Sequence, residues 1–117
     1  MKLQLSANQL KLEIIKIYNT VNQELFGIGI KSQRIELMGD KVFIYALHKR
    51  IPALKVLDES QRLLTRAVDS SIIDAYKEIL ASKIEETLSL PIHVIFKDYD
   101  PRTEQALTVI IFKEPIE

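Results

Sequence analysis

The apolar residues of the chain recur with two different periods. From residue 10 to 25 they stand three or four positions apart, at Leu10, Ile14, Ile17, Val21 and Leu25. Residues 53–90 contain neither glycine nor proline and show the same spacing at Leu63, Leu64, Ala67, Val68, Ile72, Ala75, Tyr76, Ile79, Leu80, Ile84 and Leu88. Residues 33–38, 41–49, 92–97 and 106–113 instead alternate or are continuously apolar. These periods predict amphipathic helices and β-strands, respectively.

Local signals place the ends of these elements. Ser6 and Gln9 have the spacing of a capping box, which predicts that the first helix begins near residue 7. Gly27 follows the last periodic residue and is suited to the left-handed conformation that ends many helices. Gly39-Asp40 separates two strands as a two-residue loop of type II′ does, and Pro52 suits the first turn of a short helix over 53–57.

The long helix raises a question of size. If residues 60–89 formed one straight helix, it would be roughly 45 Å long at about 1.5 Å per residue. That length exceeds what a core of this size needs, so we expect either a bend near residues 69–71 or dimerisation along the helix.

Two of the strands, 41–49 and 106–113, are apolar on both faces. Such a strand either lies at the centre of a sheet or presents one face to a second subunit, and the pair together suggests a homodimer. Consecutive hairpins normally pair locally. We therefore predict one α+β domain over residues 1–117, with two layers. Two β-hairpins form a four-stranded antiparallel sheet with helices on one face, in the order α-ββ-α-α-ββ.

Composition narrows the classes of function. The chain has no cysteine, which excludes disulfides, thiolate metal sites and iron–sulfur clusters. Its 16 basic and 16 acidic residues give zero net charge, which argues against a protein that binds nucleic acid mainly through phosphates. The N-terminus lacks a secretory pattern, and no apolar run approaches the roughly 20 residues that cross a bilayer. We expect a cytoplasmic protein without direct membrane insertion.

One cluster of residues could carry binding chemistry. The glycine turn at residues 27–31 connects a helix to a strand, and it is either a plain connection or a loop that contacts a ligand. A basic strand end lies close to it in the predicted hairpin. This strand end is either solvated or a site for an anion or an acidic partner. The candidate residues are Gly27, Gly29, Lys31, Arg34, His48, Lys49 and Arg50.

No catalytic, metal or cofactor site is predicted. His48 and His93 do not stand in a spacing typical of metal ligands, and no serine or threonine stands out as the partner of a catalytic base. Asp98 and Asp100 lie in a predicted polar connection between the last two strands, where the calcium-loop pattern would require further acidic ligands and a glycine.

The order of these elements, with several short motifs, resembles the Na+-translocating-system MpsC-like family over roughly residues 7–113. That family typically shows Gly-Arg-Gly-Pro-Lys-Ser-x-Arg in its turn, Thr-Pro-Ala-Glu-Lys at the short helix and a glycine after the threonine of the last hairpin. The matching residues here are Gly27, Gly29, Lys31, Ser32, Arg34, Pro52, Ala53, Lys55, Ile84, Glu85, Glu86 and Asp98. The chain departs from the pattern at Ile28, Ile30, Ile51 and Glu104.

The resemblance implies a small cytoplasmic accessory or regulatory protein, non-enzymatic, of a membrane system that moves sodium or takes up inorganic carbon. Its partners would be a second copy and, through protein contacts, a membrane transport complex. An alternative from the residues is a domain that senses a small anion or a nucleotide with the basic cluster. A third hypothesis, RNA binding, rests only on a glycine turn beside a small sheet.

Overall fold

The computed structural model describes residues 5–27 and 30–116. Its elements follow the predicted order, and the predicted α+β fold is confirmed. They are α1 (Ala7–Phe26), β1 (Ile30–Met38), β2 (Lys41–His48), α2 (Pro52–Asp58), α3 (Arg62–Leu88), β3 (Ile92–Asp100) and β4 (Gln105–Phe112).

The four strands form one antiparallel sheet in the order β1-β2-β4-β3. Each hairpin pairs locally, and β2 and β4 lie side by side at the centre. The prediction of a central position for the strands that are apolar on both faces is thus confirmed. Ile44 and Ile110 point to the helical side and are fully buried, whereas their strand neighbours Tyr45 and Leu107 lie on the opposite, open face.

The local signals at α1 and the first hairpin are also confirmed. The Ser6 hydroxyl accepts from the amide of Gln9, and the Gln9 side chain accepts from the amide of Ser6. Gly27 ends α1 at φ 65°, and its N–H donates to the carbonyl of Gln23. Gly39 has φ 63°, the sign that the first position of a type II′ loop requires.

The hydrophobic core lies between the sheet and the two long helices, so helices cover one face of the sheet. Helix α1 contributes Leu10, Ile14, Ile17, Tyr18 and Val21, and α3 contributes Tyr76, Leu80, Ile84 and Leu88. The strands contribute Val42, Ile44, Ala46, Ile95, Ile110 and Phe112.

Helix α3 is one unbroken helix of 27 residues, so the bend expected near residues 69–71 does not interrupt it. Its length is about 40 Å, which accounts for a molecule measuring 50 × 23 × 22 Å. The prediction of one buried face along the whole helix is wrong for its first half. Leu63 is 85% exposed and Leu64 52%, so the apolar face is left uncovered at the start of the helix.

Strand β3 is longer than predicted. It continues through Asp100, so Asp98 and Asp100 lie within the strand and not in the connection to β4. Pairing with β4 explains the extension, since Asp98 is paired with Leu107 and Asp100 with Gln105. Across residues 5–27 and 30–116, none of the helices combines the length and the apolar character needed to cross a membrane.

Candidate functional site

A buried arginine organises the end of the sheet where β2 meets the helices. Arg50 is 4% exposed, and its guanidinium lies between two carboxylates. Nε and Nη2 donate to Asp58 of α2 at 2.9 and 2.8 Å, while Nη1 and Nη2 donate to Asp69 of α3 at 2.7 and 3.1 Å. Arg62 joins Asp69 at 3.2 Å. Each carboxylate is therefore matched by a planar fork of donors, the geometry for which arginine is suited.

Burial alone would lower the pKa of Arg50, but its hydrogen bonds to Asp58 and Asp69, and their charges, raise that pKa above its usual value. The pKa of Asp58 is held below its ordinary value mainly by the hydrogen bond from Arg50. The arginine is thus permanently charged and its charge is neutralised internally. This cluster fixes the short helix α2 to the long helix α3.

Glu104 ties the glycine-turn side of the molecule to the same region. Its carboxylate accepts from the Lys31 ammonium at 2.7 Å and from the Arg50 amide at 2.6 Å. Its carbonyl accepts from the His48 amide at 2.9 Å. The hydrogen bond from Lys31 is the main reason why the pKa of Glu104 lies below its usual value. Glu104 therefore joins β1, the end of β2 and the last hairpin.

Beneath this surface lies a buried chain of polar side chains. The Tyr18 hydroxyl lies 2.8 Å from His48 Nε2, and the Lys97 ammonium donates to the Tyr18 hydroxyl at 3.3 Å and to the Thr108 hydroxyl at 3.1 Å. The same ammonium lies 4.3 Å from the centre of the Tyr76 ring and 5.2 Å from that of Tyr18. The Lys97 ammonium is thus stabilised by cation–π attraction and by two hydroxyls in place of a carboxylate partner.

Burial changes the titration of this chain. It lowers the pKa of Lys97 to about 7. Burial and the charge of Lys97 lower the pKa of His48 to about 4, so its imidazole is neutral at pH 7. Burial raises the pKa of Tyr18 to about 12, and that of Tyr76 also rises. The Tyr18 oxygen therefore lies within hydrogen-bond distance of both the Lys97 ammonium and Nε2 of the neutral His48.

The polar chain and the arginine cluster line one cavity of about 50 Å³. Its remaining walls are mostly apolar and come from α1, α3 and the ends of β2 and β3. The lining residues are Phe26, His48, Lys49, Arg50, Ile51, Asp69, Ile72, Ile73, Lys97 and Tyr99. A small, partly open cavity beside a buried amine with a pKa near neutral is suited to binding a small ligand.

The structure brings together some of the residues predicted from the sequence. His48, Lys49 and Arg50 all line this cavity, and Arg50, at 4% exposed, is not solvated. Lys31 reaches them through Glu104. Arg34 lies apart, on the open face of the sheet, where it bonds Glu36 at 2.6 Å.

The two glycines of the predicted site have different outcomes. Gly27 is the left-handed cap of α1. Gly29 and its neighbour Ile28 lie outside the described residues. The glycine turn as a ligand loop therefore stays a prediction.

Several site residues were missed at the sequence level. Lys97 stands two positions from Ile95 and from Tyr99, on the inward face of β3. The alternation of residues along the strand therefore indicated that this lysine faces inward. Asp58 and Asp69 carried no such signal. Their pairing with Arg50 depends on how α2 folds back against α3, which periodicity does not specify.

Comparison with known protein families gives a match, whereas comparison with individual proteins does not. No curated protein and no solved structure matches the chain. The family described as Na+-translocating membrane potential-generating system (MpsC) matches residues 6–114, which is nearly the whole sequence. The chain therefore belongs to the MpsC family.

Proposed function

We propose that the protein is a non-enzymatic cytoplasmic accessory protein of a sodium-translocating membrane system, and that it acts through contacts with other proteins. The family description supports the association with such a system. A contact function is supported by two apolar surfaces that the fold leaves uncovered, one on the sheet and one on the helices. The sheet surface is the observation that carries the proposal.

The open face of the sheet carries large apolar side chains. Met38, Tyr45, Phe96 and Leu107 are 59, 46, 58 and 39% exposed, and the partly buried Phe43 and Val109 lie among them. Four strands about 4.8 Å apart and eight residues long present roughly 500 Å². Two such faces bury about 1,000 Å², the lower limit for a specific interface. An apolar surface of this extent is typical of a protein contact site.

The partner that fits this face is a second copy. Arg34, Tyr45, Leu107 and Asp98 are paired successively across the sheet, so they form one row on the open face. The row has a cation at one edge, a carboxylate at the other and two apolar residues between. Rotation about a two-fold axis parallel to the strands places Arg34 of each copy over Asp98 of the other. Stacked sheets keep their strands within about 30°, as this axis requires.

We propose that the transport complex contacts the apolar surface on α2 and the start of α3. Val56 of α2 is 77% exposed, and Leu63 and Leu64 of α3, the helix that α2 packs against, are 85 and 52% exposed. Contact of α2 with α3 leaves none of the α2 residues buried. This end remains accessible when the sheet faces are stacked, so one protein can hold its copy and its partner together.

The accessory role is tested by affinity capture from the native host's membrane fraction. We expect the wild-type protein to enrich a sodium-transporting complex, identified by mass spectrometry and by sodium flux after reconstitution. Leu63→Glu should lose that complex. Leu12→Glu is the matched control, because Leu12 is an exposed leucine, 62% accessible, on α1.

Two results would contradict the proposal. Recovery of the bait alone, from a fraction shown to contain the transport system, would remove the accessory role. Turnover of a small substrate by the purified protein, abolished by changing one polar residue, would remove the non-enzymatic part.

A further inference from the structure

The cavity beside Lys97 has the features of a ligand site that the accessory role does not use. Lys97 lines it, and most of its wall area is apolar, including Phe26, Ile72 and Ile73. An ammonium has three donors, and two of those of Lys97 are used by the hydroxyls of Tyr18 and Thr108. Among the residues that the structure describes, the third donates to no acceptor and has the Tyr76 ring nearby, with its centre 4.3 Å from the nitrogen.

Lys97 also lacks an anionic partner. Within residues 5–27 and 30–116, no carboxylate lies within 4 Å of its nitrogen. The carboxylate that lines the same cavity, Asp69, is already bound by Arg50 and Arg62. A buried cation without a counter-ion is costly, and a bound anion would relieve that cost.

Size and polarity narrow the ligand. A space of about 50 Å³ corresponds to three or four waters, at roughly 10–15 Å³ for each. Acetate has four non-hydrogen atoms and propionate five. A carboxylate end satisfies the ammonium, and a short alkyl end matches the apolar walls. Phosphate has no apolar end to match these walls.

We propose that this cavity binds a short-chain monocarboxylate, with Lys97 as its counter-ion and Phe26, Ile72 and Ile73 around its alkyl group. The site is separate from both protein-contact surfaces. Ligand binding at the junction of α1, α3 and the sheet gives the protein a means of responding to a small metabolite anion.

Binding should be linked to pH. The groups that face Lys97 are Tyr18 on α1, Tyr76 on α3, His48 on β2 and Thr108 on β4. Both tyrosines and the histidine are neutral between pH 6 and 9, because burial raises the tyrosine pKa values and lowers that of His48 to about 4. Lys97, with a pKa of about 7, is then the group that changes charge. The carboxylate requires its protonated form.

The experiment measures thermal unfolding with increasing sodium acetate or propionate at pH 6.5, with sodium chloride at the same ionic strength as reference. We expect a saturable rise of roughly 10 °C at 100 times the dissociation constant. Titration calorimetry should show the affinity falling about tenfold per pH unit between pH 8 and 9, with uptake of one proton.

Three variants separate the site from general salt effects. Lys97→Met removes the counter-ion, and Ile73→Phe fills the cavity while keeping the ammonium; both should lose the shift. Lys16→Met, on the exposed surface of α1, should keep it. Because Ile73→Phe leaves Lys97 in place, it tests the cavity even if Lys97→Met folds poorly.

Several outcomes would overturn the assignment. These are the absence of any shift beyond chloride, an equal effect of inorganic phosphate, and an affinity independent of pH from 7 to 9. Retention of the shift in Ile73→Phe would also do so. None of these outcomes bears on the accessory role, which capture of the transport complex tests separately.

Discussion

At the scale of single residues, Glu104 shows how a side chain can compensate for an unfavourable backbone. Its φ of 63° lies in the left-handed region, where glycine is favoured, and the related family pattern has a glycine here. The carboxylate in return binds Lys31 and the Arg50 amide. These bonds connect β1 to the end of β2, a connection that glycine cannot make.

Two substitutions of Glu104 distinguish the effect of the strained backbone on stability from that of the carboxylate's hydrogen bonds. Glu104→Ala loses both hydrogen bonds and keeps the strained φ, so we expect it to have the lowest melting temperature. Glu104→Gly loses the same bonds but relieves the strain, so it should melt several degrees above the alanine variant. Calorimetry checks the order, with Glu114→Ala as an exposed control. Equal melting temperatures for the two variants would show that the backbone strain is no larger than the entropy that glycine adds to the unfolded chain.

Lys97 should give the folded protein a recognisable dependence on pH. Its pKa is about 7 in the fold, against an ordinary value of 10.5. Between pH 7 and 10 the unfolded chain therefore holds a proton that the folded chain lacks. In that window a rise in pH favours folding, by up to about 1.4 kcal/mol per pH unit. Below pH 7 both states are protonated and the dependence ends.

Urea unfolding at pH 7, 8 and 9 measures this slope. Lys97→Met should abolish it, and Lys16→Met should leave it unchanged. Measurements should stop below pH 10, because Tyr18, whose folded pKa is raised to about 12, lowers stability above that value. A flat profile for the wild type would show that Lys97 is not held in a buried, desolvated environment.

At the scale of elements, the arginine cluster is what holds α2 in place. This helix has no buried residue and packs only against α3, so little hydrophobic contact stabilises it. Arg50 connects its last residue, Asp58, to Asp69 in the first third of α3. Without the guanidinium, the two carboxylates would keep only the half-exposed Arg62, which lies 3.5 Å from Asp58 and 3.2 Å from Asp69.

We expect Arg50→Gln to lower the free energy of unfolding by about 3–5 kcal/mol, the usual cost of breaking a buried ion pair from one side. Hydrogen exchange should show the amides of α2 losing protection first, while those of β2 and β4 stay protected. Lys16→Gln breaks an exposed pair with Glu13 and should cost less than about 1 kcal/mol. Uniform loss of protection across the sheet would contradict a local role for the cluster.

The same elements show what the sequence could and could not predict. Caps and loops depend on neighbouring residues, so Ser6, Gln9, Gly27 and Gly39 placed the ends of α1 and the first turn correctly. The exposed start of α3 was missed because periodicity identifies an apolar face but not what covers it. The site was only half predicted. His48 and Arg50 belong to a visible basic cluster, but Asp69 and Tyr18 join them through tertiary packing between distant elements.

At the scale of the whole molecule, one face of the sheet and one end of the long helix are the uncovered apolar surfaces. The row from Arg34 to Asp98 makes the open face self-complementary under one particular axis. An in-plane axis perpendicular to the strands would place each strand over its own copy. Arg34 could then reach Glu36 of the other copy, but Asp98 would face no cation on the open face of β3. The charges therefore select the arrangement, while the apolar residues supply most of the buried area.

This arrangement makes a prediction that charge reversal can test. We expect the wild type to sediment as a dimer. Arg34→Asp and Asp98→Arg should each weaken it roughly tenfold or more, because symmetry turns two attractive pairs into two repulsive ones. The double variant exchanges the charges and should restore the dimer.

Arg66→Asp, on the exposed side of α3, is the control that should leave association unchanged. Sedimentation equilibrium measures all four variants. A double variant as weak as the singles would exclude the proposed two-fold axis, and a monomeric wild type would leave the open face for a different protein.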